Sequence, residues 1–139
     1  MRVTPKIRRA PVVAAGVLLG TALVAGFGPG VAGAGQQAMN GCERAGTVSG
    51  YANYRCEIYT SGGAPTQFPL TLEVVGHMPQ GTNGFFCQYQ DPYRPVYLPN
   101  GAKNNWWAQP SNPAFAGWLN VVYLSGGKNY SPEPGLPPC

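Results

Sequence analysis

The chain has 139 residues, the size of a single ordinary domain, and carries nine Lys+Arg against five Asp+Glu for a formal charge of +4. Arg2, Lys6, Arg8 and Arg9 crowd the start. Past residue 34, five basic side chains (Arg44, Arg55, Arg94, Lys103, Lys128) face five acidic ones (Glu43, Glu57, Glu73, Asp91, Glu133). A body without excess positive charge lacks the clustered Lys/Arg that neutralise phosphates, so no nucleic-acid partner is expected.

Met1 to Pro11 reads as a basic leader, and Val12 to Phe27 as an apolar run of sixteen residues. Ala32-Gly33-Ala34 supplies the small residues of a cleavage site, so residues 1–34 are expected to be a secretory signal peptide. The apolar run is shorter than the ~20 residues of a spanning helix, and Gly28-Pro29-Gly30 breaks it. The mature chain is thus expected to lack a transmembrane anchor. Arg8-Arg9 is followed by Ala10-Pro11 rather than bulky apolar residues, which favours the general secretory route over the twin-arginine one. Met39-Asn40-Gly41-Cys42 is a poor lipoprotein box, because Asn40 is wrong for it and Cys42 lies far beyond the run.

Cys42, Cys56, Cys87 and Cys139 all lie in the mature part. An even count in a small exported chain points to two disulfides. Three pairings are open on spacing. Cys42–Cys56 with Cys87–Cys139 is favoured, since the second bridge would staple a Pro-rich tail that can form neither helix nor central strand. No C-x-x-C pair exists and His77 is the lone histidine, so no metal or other cofactor is expected.

The mature part holds fourteen Gly and twelve Pro, too many for sustained helical periodicity. Between them lie short β-branched and aromatic runs, the pattern of an all-β fold. In chain order, strands are expected at Arg55–Thr60, Leu70–Val75, Phe85–Gln90, Asn105–Ala108, and in fragments at Gly117–Leu119 and Tyr123–Leu124. Ser61–Thr66 and Pro79–Gly84 read as loops, and Asn100-Gly101 as a tight hairpin turn. Phe85, Cys87 and Tyr89 share one face by alternation and are expected to be buried. The expected core is Ile58, Leu72, Val74, Phe85, Cys87, Trp107, Leu119, Val122 and Leu124. Of adjacent Trp106 and Trp107, the phase sends Trp107 inward.

The stretch from Cys56 to Leu124 resembles bacterial SH3-like (SH3b) domains. The pieces are Ile58–Pro65 with its Ser-Gly-Pro loop; Val74-Val75-Gly76 running to Gly81-Thr82; the strand opening on Trp106-Trp107; and Gly117-Trp118-Leu119 leading through a short helical turn to Tyr123-Leu124. The resemblance implies a small barrel of about five short strands. On this reading it is flanked by a 35–55 extension and a Pro/Gly-rich 125–139 tail, and the resemblance implies a cell-wall glycan or peptide as the expected ligand.

Fifteen aromatics in the mature part, eight Tyr, four Phe and three Trp, exceed what such a core absorbs. Tyr89, Tyr93, Tyr97, Trp106 and Trp118 are the candidate ligand contacts, because exposed rings beside Asn and Gln suit neutral sugars and Pro-rich peptides. Catalysis is not expected. Glu57, Glu73 and Asp91 are the only central carboxylates for a glycosidase pair, and Ser61 or Ser125 with His77 lacks a nucleophile elbow. The function expected is a secreted, non-catalytic binding module. The alternative is an extracellular protein-interaction or inhibitor domain working through the insert Asp91–Asn105.

Overall fold

The structure, a computed structural model, describes residues 40–139; the expected signal peptide and cleavage site lie outside them. Nine strands follow in chain order: β1 (Glu43–Val48), β2 (Tyr51–Ile58), β3 (Ala64–Phe68), β4 (Glu73–Met78), β5 (Gly81–Gln90), β6 (Val96–Tyr97), β7 (Lys103–Asn104), β8 (Trp106–Pro110) and β9 (Trp118–Asn120). A 3₁₀ turn, Val121–Tyr123, completes them. The fold is all-β. Seven strands form one antiparallel sheet in the order β1-β2-β5-β8-β9-β3-β4, and β6-β7 form a separate hairpin.

The main sheet has seven strands rather than five because Glu43–Val48 and Ala64–Phe68 both belong to it, the second correcting the loop expected at Ser61–Thr66. Ser49 (φ 51°) and Gly50 (φ 83°) are both left-handed, which makes the two-residue turn whose twist matches a hairpin. β1 and β2 pair across it, closing on Val48 opposite Tyr51. The expected N-terminal extension is therefore an integral hairpin. The Asn100-Gly101 turn joins β6 to β7, with Leu98 N–H on Ala102 O at 2.8 Å.

The sheet curls back on itself. Beyond its pairing with β5, the end of β2 is tied to the chain after β9. Tyr59 N–H donates to Tyr123 O at 3.2 Å and Ser125 N–H to Glu57 O at 3.0 Å, while Ile58 bridges Leu124. The core is enclosed by this curl and gathers Ile58, Ala64, Met78, Phe85, Ala108, Leu119, Val121, Leu124 and Leu136. Cross-strand partners share a face. The row Gln88, Ala108, Leu119, Thr66 runs across four strands on the core side, and all four are buried.

Two bulges shift the alternation. On β5, Phe85 pairs with Pro110 and Gln88 with Ala108, so three steps on β5 match two on β8. The extra residue flips the phase. Phe85 and Gln88 are buried, whereas Cys87 and Tyr89 are only half-buried, correcting the expected Phe85-Cys87-Tyr89 face. On β4, Thr66 pairs with Gly76 but Gln67 with Val74, which makes Val75 the extra residue. The strand expected at Leu70–Val75 starts only at Glu73. Thr71 and Leu72 N–H both bond Phe68 O in a turn that holds Leu72 at φ 59°. Leu72 and Val74 are thus 38% and 60% exposed and do not join the core; Met78 fills that position.

Both favoured disulfides form. Cys42–Cys56 has Cα atoms 4.4 Å apart and Cys87–Cys139 5.0 Å, with no free cysteine. Closing 14 and 52 residues removes about 3 and about 4 kcal/mol of unfolded-chain freedom in the entropy model. The tail is more than stapled. Gln88 Nε2 donates to Glu133 O (2.9 Å) and Leu136 O (2.6 Å), and its Oε1 accepts from Glu133 N–H (2.8 Å). Leu136 then joins the core, so residues 133–139 continue the fold rather than trail from it. Among the described residues no helix is long and apolar enough to cross a membrane.

Candidate functional site

The face opposite the core row carries Tyr89, Trp107 and Asn120 as cross-strand partners. Trp118 pairs with Gln67 on the next register. Asn120 Nδ2 donates to Asn104 O at 3.2 Å, so the segment containing β7 covers one end of this face, where Trp107 is fully buried. The other end is open. The β5 bulge delivers Phe86 there, and Tyr51 at the start of β2 meets it edge-on, with ring centroids 5.9 Å apart.

The open end is a groove. One hollow of about 460 Å³ lies between Tyr51, Phe86, Phe68, Phe115, Trp118 and the turn Pro110–Pro113. A second, of about 670 Å³, continues from Tyr51, Phe86 and Gln109 to Pro137 and Pro138. Among the described residues no charged side chain lines either hollow. The turn is held to β5 by Ser111 N–H on Gly84 O at 3.0 Å. Gly117 (φ +77°) opens β9 where a Cβ would strike Val75 Cγ2 and Gln67 O at 2.6 and 2.7 Å, so only glycine lets Trp118 approach β3 here.

Of the five residues expected from sequence, Trp118 lines the groove. Tyr89 packs edge-on against it, centroids 4.8 Å apart and planes at 84°, which sets the indole from behind. Burial raises the Tyr89 phenol pKa, with the Asp91 charge adding to it and Arg94 opposing. Trp106 is turned away: it is the cross-strand partner of Gln90 and packs against the core cluster. Here β8 is covered on both faces, so the expectation that one of the two Trp is a free outer ring is corrected. Tyr93 and Tyr97 are 87% and 64% exposed but stand outside the groove. Tyr93 N–H caps Asp91 Oδ1 at 3.0 Å. The Tyr97 hydroxyl lies 3.3 Å from that of Tyr130, a hydrogen bond that raises the Tyr97 pKa.

Tyr51, Phe68, Phe86 and Phe115 were not foreseen as groove residues. Tyr51 falls in the stretch expected to be an extension, and Phe86 takes its position from a bulge that alternation cannot reveal. Chemically, the surface offers ring faces, the Gln109 amide and the Ser111 hydroxyl. Such a set offers stacking surface and neutral hydrogen-bonding groups. Among the described residues no three His, Cys, Asp or Glu side chains meet to hold a metal. Comparison with known proteins gave no match, whether among family models, curated proteins or solved structures.

Proposed function

We propose that this chain is an exported, non-catalytic binding module of the SH3b kind that takes a neutral cell-wall polymer, glycan or peptide, along the aromatic groove. The observation that carries the reading is the uncharged hollow framed by Tyr51, Phe86, Phe115 and Trp118. Rings supply stacking area at low conformational cost, and Gln109 and Ser111 supply hydrogen bonds. The SH3b resemblance is supported by the strand opening on Trp106-Trp107, and by the 3₁₀ turn after Trp118-Leu119 that leads to Leu124 beside Ile58. Export is supported by the full pairing of the cysteines, a state that reducing compartments disfavour.

The test is retention of the mature, oxidised protein (residues 35–139) on purified bacterial cell wall. Retention should fall at least tenfold in Trp118→Ala and Phe86→Ala while the circular dichroism spectrum is kept. Retention no better than a charge-matched control refutes the reading. A second reading, a protein-interaction domain, is favoured by the exposure of Tyr93 and Tyr97 on the insert Asp91–Asn105. Binding lost in Tyr93→Ala but kept in Trp118→Ala would select it.

A further inference from the structure

A different pocket, about 280 Å³ in volume, lies between the β6–β7 hairpin and the loop after the 3₁₀ turn. Its chemistry is the reverse of the groove's. The buried Val122 and Leu124 back it, and Tyr59 spends its hydroxyl on Val122 O at 3.1 Å. Lys103 and Lys128 both line the pocket, and they are the two lysines of the described residues. No carboxylate lines the pocket, and the Arg94–Asp91 ion pair (3.0 Å) involves neither lysine.

The Lys103 ammonium sits 5.2 Å from the centroid of the Tyr130 ring. That contact holds the charge without neutralising it. The loop adds donors. Gly126 N–H bonds Glu133 Oε1, and Tyr130 and Ser131 N–H bond Lys103 O and Lys128 O. The backbone N–H groups of Gly127, Lys128 and Asn129, all on the pocket lining, have no partner within the described residues. Two lysines without an ion-pair partner among the described residues, beside three successive backbone amides that bond nothing within them, make this lining attractive to an anion. The body of the protein is charge-balanced only with these two lysines counted, so its positive charge is concentrated at this pocket.

We propose that this pocket is a site for a small oxyanion, the carboxylate or phosphate of a small organic molecule. It is independent of the aromatic groove. The test titrates the mature ¹⁵N-labelled protein with sodium phosphate and with sodium acetate at pH 6 and low salt. At that pH Glu133, beyond Gly127, keeps its proton, because burial raises its pKa to about 7. Saturable shifts are expected at the amides of Gly127, Lys128 and Asn129, and not around Arg44 and Arg55. K128Q alone should raise the apparent Kd several-fold, and K103Q/K128Q at least tenfold. Trp118→Ala should leave the titration unchanged, which separates this site from the groove. A response to one salt only identifies the oxyanion. No saturable shift with either salt, equal shifts in K128Q, or equal shifts at Arg44 and Arg55 would overturn the proposal.

Discussion

Glu133 offers the sharpest quantitative test of how the tail is held. Its side chain is 2% exposed. Oε1 accepts Gly126 N–H at 3.0 Å, Oε2 is buried without a partner among the described residues, and no cation among them forms an ion pair with it. Burial of an ionised carboxylate without a counter-charge is costly. It raises the Glu133 pKa from 4.5 to about 7, against a smaller lowering by the Gly126 hydrogen bond. Below the unfolded value of 4.5 both states are protonated and the group costs nothing. Between 4.5 and about 7 the unfolded chain ionises while the folded one does not. Stability therefore falls with rising pH by up to 1.36 kcal/mol per unit. Above about 7 the loss is complete, at most on the order of 3 kcal/mol. That is a large part of a total of about 5–15 kcal/mol.

Glu133→Gln keeps the Gly126 bond and removes the charge. Urea unfolding of the oxidised mature protein from pH 4 to 8 should show the variant matching the parent at pH 4. It should exceed the parent by about 2–3 kcal/mol at pH 8. Release of the tail is a cheaper escape than global unfolding, so amide exchange at residues 126–136 should speed up with pH in the parent beyond its chemical dependence, and not in the variant. Parallel pH–stability curves for the two proteins would refute the reasoning.

Other substitutions probe the same architecture. Gln88→Ala strands three backbone groups of the tail and should cost about 2–4 kcal/mol in urea unfolding, with exchange rising first at Leu136. Leu72→Gly relieves a left-handed leucine (φ 59°) that buries little; it should stabilise by up to about 1 kcal/mol, and a loss would show that the Leu72 side chain has a packing role. Phe85→Ala empties a fully buried site and should cost about 3–5 kcal/mol by the same measurement.

What could be read from the residues was what local composition and covalent chemistry dictate. Gly and Pro spacing disfavours long helices, cysteine parity points to two bridges, and Asn100-Gly101 makes a hairpin turn. Trp118 is legible because fifteen aromatics in the mature part exceed what a core of nine or ten positions absorbs, so some rings must face outward. The failures share a cause. Alternation predicts faces only while the register is unbroken, and the bulges at Phe86-Cys87 and Val75 break it where the core list went wrong. The Ser49-Gly50 turn is a weaker signal than Asn-Gly, so β1 was absorbed into an extension and Tyr51 with it. The tail was legible as a segment needing a staple. That Gln88 would anchor it was not, since a buried glutamine is justified only by partners 45 and 48 residues away.

The β5 bulge joins these observations into one argument. A regular strand from Phe85 would turn Cys87 inward and place Phe86 and Gln88 together on the outer side. One extra residue instead leaves Phe85 in the core, presents Phe86 to Tyr51 in the groove, and returns Gln88 inward to the tail. Cys87 between them bonds Cys139, which keeps Pro137 and Pro138 at the end of the groove that Phe86 helps to line. Groove and tail are thus built by the same three residues. A change that frees the tail, such as Cys139→Ser, should therefore reshape the binding surface and weaken cell-wall retention even though Trp118 and Phe115 are untouched. Unchanged retention in a variant whose tail amides exchange freely would show that the two are independent.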